Sequence, residues 1–148
     1  DPTSRRFIPR FQNTIKGICD IIVEAGEGEG AAMAALRINR TGSNAAGLHQ
    51  WMKDSLVPQL MRRHGMVAVR YAEKNPEMLA AGTAGHLRPT DTYIDALLMI
   101  EAADQNQLSA ALATLDRAEF AARGAHWDGA PRLFEVIYTV HVPPAQPK

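Results

Sequence analysis

Cys19 is the single cysteine in 148 residues, so no disulfide can form within the chain. Such sparing use of cysteine fits a reducing compartment, and a cytoplasmic location is the expectation. Net charge is lacking too, since 16 basic residues balance 16 acidic ones. A nucleic-acid binder carries a basic excess or stripe. The longest basic cluster here is Arg62-Arg63-His64, where a helix should end and where cations complement its dipole. The aromatic pair that RNA-recognition sheets use for stacking is also missing. Nucleic acid is therefore not expected as a partner. No apolar run approaches the ~20 residues of a bilayer-spanning helix, so no membrane partner is expected. No charged-then-apolar leader precedes the first strand. The chain opens on Asp1 rather than Met, as a processed, trimmed or longer protein would.

Apolar residues make up 46% of the chain, enough for a packed core and too many for disorder. Residues 1–13 lack a clean period and read as an arm. From residue 14 to 24, Ile15, Gly17, Cys19, Ile21 and Val23 alternate with a more polar set, the period of a strand. Gly26, Gly28 and Gly30 then form a flexible turn. A Gly-rich phosphate loop needs a following helix. Here a strand follows and two glutamates sit inside the loop, so a hairpin-like turn is expected.

The stretch from 31 to 75 reads as strand, helix, strand. Residues 32–39 are apolar on both faces up to Arg37, as in a central strand. In the helix, residues 45–63, Leu48, Trp51, Met52, Leu56, Leu60 and Met61 recur every three or four positions. Pro58 predicts a kink or break near residues 55–57. Gly65 ends the helix, and residues 66–73 alternate as a strand. Residues 75–90 read as a long loop of the kind used for lids or binding. Strand, helix and strand then recur over 92–102, 104–124 and 132–142.

The last six elements spell βαββαβ, a ferredoxin-like unit. The predicted class is α+β, an antiparallel sheet with two helices on one face and an extra N-terminal strand. Right-handed crossovers put both helices on one side. The open, largely apolar face then needs a second sheet, so a homodimer closing into a barrel is the simplest solution. Residues 1–30 form the arm and extra strand, and residues 31–148 the main domain.

Trp51, Asp54, Pro58 and Gly65 stand where the dimeric α/β-barrel superfamily, and within it the EthD-like bacterial proteins, carry comparable residues. The chain resembles that family over about residues 31–142. Two departures matter. Leu56 occupies the place of the family histidine, and His64 rather than proline precedes the glycine. A catalytic role for that histidine therefore does not carry over. The family also includes fused pairs of units, which makes the 14–24 strand a candidate remnant of a preceding repeat. The resemblance implies a cavity for a small apolar or aromatic compound, worked on by acid–base chemistry in an isomerase, lyase or cofactor-free oxygenase. The alternative is a non-catalytic ligand-binding or dimerisation module.

The polar residues available to such a cavity are few. His49, Tyr93 and Tyr138 are the catalytic candidates, and Arg37, Trp51, Arg70 and Tyr71 the ligand-binding ones. His49 lies about 160 degrees round the helix from Trp51, so it should face water if Trp51 faces the core. Arg37 and Arg70 either pair with carboxylates such as Asp95, Glu101 or Glu135, or hold a substrate carboxylate bidentately. Buried tyrosines usually satisfy a structural hydrogen bond, which competes with a pocket role. Cys19 reads as core, since no base partner is evident. His86, His126, Asp91 and Asp128 match no tight metal-ligand spacing, and an axial haem ligand would have to be His49, His64 or His141. No metal and no cofactor are assigned.

Overall fold

The computed structural model describes residues 15–41, 45–77 and 92–136. Eight strands appear there: β1 (Ile15–Lys16), β2 (Cys19–Gly26), β3 (Ala32–Arg40), β4 (Met66–Lys74), β5 (Thr92–Tyr93), β6 (Ala96–Ala102), β7 (Ala125–Trp127) and β8 (Arg132–Glu135). β1 and β5 form a short parallel pair. The other six build one antiparallel sheet in the order β2-β4-β6-β3-β7, with β8 also on β3. The run β4-β6-β3-β7/β8 is compatible with a ferredoxin-like unit, and β2 adds an extra strand beside β4. β3 and β6 are central, as their two-sided apolar sequences predict.

Alternation assigns the two faces. Ala32, Ala34, Leu36 and Ile38 of β3 pair across to Ala102, Ile100, Leu98 and Ala96 of β6, and all eight are buried. Val69 and Tyr71 of β4 continue this layer. Onto it pack Leu48, Trp51, Met52, Leu56, Val57 and Leu60, then Leu108, Ala111 and Phe120. Met33, Ala35, Arg37, Leu97 and Met99 alternate to the opposite face and stay only half-buried.

The first helical segment is α1 (Ala45–Trp51), a π turn (Met52–Leu56) and α2 (Val57–Met61). The break expected from Pro58 takes the form of that π turn. The amide of Val57 donates to Met52 O, one residue further back than in an α-helix. Widening the turn there makes room for the proline ring, which would otherwise meet a carbonyl of the preceding turn. The wider turn also brings Val57 into the core, beyond the stripe read from α-helical spacing.

Other boundaries shift for local reasons. The strand expected over 14–24 is two pieces, and its longer part, β2, runs on to Gly26. The strand expected over 92–102 splits into β5 and β6 around Asp95. The helix expected over 104–124 is α3 (Gln105–Leu112) and α4 (Arg117–Ala121). Asp104 caps α3 through the amide of Gln107, and Asp116 caps α4 through that of Ala118. An N-cap aspartate starts a helix, so Asp116 breaks what an unbroken apolar stripe would join. Trp127 lies in a strand, β7, where a loop is expected. The final strand is described only over β8, and residues 137–142 of the expected strand lie outside the described residues.

Candidate functional site

Where the chain leaves β3 and β4, four polar side chains meet beneath α1. Glu73 is 8% exposed and lies on the helix-facing side of β4, two residues from Tyr71. Its Oε1 accepts from the Tyr71 hydroxyl at 2.7 Å and from His49 Nε2 at 2.7 Å. Its Oε2 accepts from Arg40 Nη1 at 2.8 Å. The strand between β3 and β4 presents only Ala96 at this level, which lets Arg40 reach across β6 to Glu73. Asp95 closes the cluster, accepting from the Arg40 amide at 3.1 Å and pairing with Lys74.

The donors around Glu73 define roles. Facing a carboxylate acceptor, His49 Nε2 is the donor, which in the neutral ring leaves the lone pair on Nδ1. Nδ1 has no partner among the described residues, and the His49 side chain keeps 32% of its surface exposed. Tyr71 is fully buried. Burial and then the Glu73 bond push its hydroxyl far above the usual phenol range, so it donates and does not act as a base. Burial alone would raise the Asp95 carboxyl, but the Lys74 bond, the Arg40 amide and the two cations outweigh it and hold it low.

That shift has a sign. A carboxyl lowered by folding adds stability above its unfolded pKa of about 3.9, and the gain is lost as pH falls through the lower, folded value. Asp95→Asn is expected to flatten the fall in melting temperature below about pH 4. Scanning calorimetry across the acid range checks this, and an unchanged slope contradicts it.

The remaining candidates scatter. Trp51 is core, edge-on to Phe120 at 4.9 Å with Arg123 over its ring at 4.3 Å. Arg70, on the open face, is tied to Glu24 at 2.6 Å and to Glu101, whose Oε2 also accepts from the Gly30 amide at 3.1 Å. This is the structural ion pair among the two expected alternatives. Arg37 makes no hydrogen bond or ion pair with any described residue. Tyr93 contributes backbone to β5, while its side chain and the whole of Tyr138 lie outside the described residues. His86, Asp91 and His141 do so as well. Among the described residues no group of three His, Cys, Asp or Glu is placed to hold a metal ion. Burial, then Asp20, raise the Cys19 thiol, the wrong direction for a nucleophile.

His49 departs from expectation. Its place on the helix opposite Trp51 predicts exposure to water, yet it reaches Glu73. His49 and Trp51 meet different neighbours: His49 lies against Tyr71 and Glu73 of β4, and Trp51 against Phe120 of α4. Glu73 and Arg40 carry the cluster but are absent from the sequence-derived site. The one sequence signal for Glu73 is its spacing of two from Tyr71, which puts both on one face. A scan against protein-family models finds no match, and searches of curated proteins and of solved structures find none either.

Proposed function

We propose that this chain is a homodimeric α/β-barrel protein that handles a small apolar or aromatic compound by acid–base chemistry, with His49 moving the proton. The carrying observation is the His49–Glu73 bond, which leaves one ring nitrogen available. A carboxylate behind an imidazole orients the ring and supports the positive charge it gains as a base. The EthD-like resemblance supports the same class of chemistry, although His49 is not the residue that family would supply. The half-buried apolar residues of the open sheet face, with Ile21 and Phe134 exposed on it, support pairing sheet to sheet.

The test is hydrogen–deuterium exchange into a panel of aryl ketones and arylacetates in deuterated buffer, read by mass spectrometry. Wild type is expected to accelerate exchange on at least one compound. His49→Gln is expected to lose about 10²-fold or more of that rate. Sedimentation of the same preparation is expected to give a dimer. Exchange no faster than buffer across the panel overturns the acid–base reading. A dimer without exchange favours the alternative, a non-catalytic ligand-binding or dimerisation module, for which the apolar open face is the supporting observation.

A further inference from the structure

The outer edge of β3 is covered in two pieces. β7 registers with Ile38–Arg40 and β8 with Ala32–Ala35, so Leu36 and Arg37 fall in neither register. Residues 128–131 arch past this gap. A depression of about 220 Å³ opens there, lined by Ala35, Arg37, Asp128, Gly129, Ala130 and Arg132 among others.

Three observations give the depression its chemistry. First, neither Arg37 nor Arg132 has a hydrogen bond or ion pair with any described residue. Arg40, Arg70 and Arg117 are all engaged. Second, Arg117 pins the arch from the helix side. Its Nη1 donates to Trp127 O at 2.7 Å and its Nη2 to Gly129 O at 2.8 Å, with the guanidinium 4.6 Å from the Trp127 ring centre. In a trans peptide the amide lies opposite the carbonyl. The Ala130 amide therefore turns away from Arg117, and it has no partner among the described residues. Gly129, at φ +67°, permits this path. Third, the one carboxylate in the lining, Asp128, already accepts from Asn39 Nδ2 at 2.6 Å and has His126 at 3.8 Å. Two cations and an amide, each without a partner among the described residues, thus stand beside one carboxylate that is already engaged.

We propose that this split edge is an oxyanion site, taking a carboxylate or phosphate group between Arg37 and Arg132 with the Ala130 amide as a third donor. Guanidinium groups bind such oxygens bidentately, and an amide in an αL turn adds directionality. The proposal is independent of the role given to His49.

Nitrogen-15 NMR titration tests it, with sodium phosphate and sodium benzoate as separate probes and sodium chloride at matched ionic strength as control. Saturable shifts are expected at the Ala130 amide and the Arg37 side chain with at least one oxyanion and not with chloride. Arg37→Gln/Arg132→Gln is expected to weaken binding at least tenfold while the rest of the spectrum keeps its dispersion. Asp128→Asn is expected to tighten binding, which a merely structural arginine pair would not produce. Response to phosphate alone, to benzoate alone or to both identifies the group that is taken. Absence of saturable shifts with either probe, or equal binding by the double variant, overturns the site.

Discussion

Phe120→Ala is expected to remove about 4 kcal/mol of folding stability, enough to threaten a marginally stable fold. Phe120 is fully buried on α4, a helix of five residues. It stands edge-on between two tryptophans, with ring centres 4.9 Å from Trp51 and 4.8 Å from Trp127. Trp51 belongs to α1 and Trp127 to β7, so one side chain joins helix, helix and sheet edge. Truncation costs the transfer of the ring, two aromatic contacts and a cavity that the two rigid tryptophans cannot close. Phe120→Leu keeps most of the volume and should cost about 1.5 kcal/mol or less. Urea denaturation of the three proteins measures both values. A loss below about 2 kcal/mol for alanine would mean that the layer collapses to fill the space.

Glu73→Leu is expected to cost about 3 kcal/mol, although it adds apolar surface to a buried place. The carboxylate is the shared acceptor of Tyr71, His49 and Arg40. Leucine leaves the fully buried Tyr71 hydroxyl without an acceptor, while Arg40 and His49 are partly exposed and regain water. The penalty therefore concentrates on Tyr71. Adding Tyr71→Phe to Glu73→Leu should recover about 1 kcal/mol, because the orphaned hydroxyl is gone. Equal midpoints for the single and double variants in urea would show that the hydroxyl had found another partner.

Much of the layer structure is legible in the sequence because strands and helices print their own periods. The two-sided apolar run of residues 32–39, the alternation of 66–73 and the apolar stripe from Leu48 to Leu60 locate the sheet and the helix upon it. The extra N-terminal strand is legible for the same reason. Partnerships are not. Nothing in the period of β3 says that its edge is shared by two short strands, so Trp127 reads as loop. The helix break at Asp116 is masked by Leu115, Ala118 and Phe120, which keep the stripe alive across two helices. Only the capping chemistry of aspartate marks it. The site fares worse than the fold. Arg70 and Tyr71 take up structural bonds that the sequence allows among alternatives. Glu73 and Arg40 meet across an intervening strand 33 positions apart in sequence, a contact set by register alone.

β2 carries one more consequence. It occupies the flank of β4, so among the described residues the outermost strand on that side is one interrupted by a bulge between Ile21 and Val23. A bulge, together with exposed Asp20 and Glu24, makes a poor template for a further strand. Ribbon-like extension of the sheet from this side is opposed, and aggregation by strand addition with it.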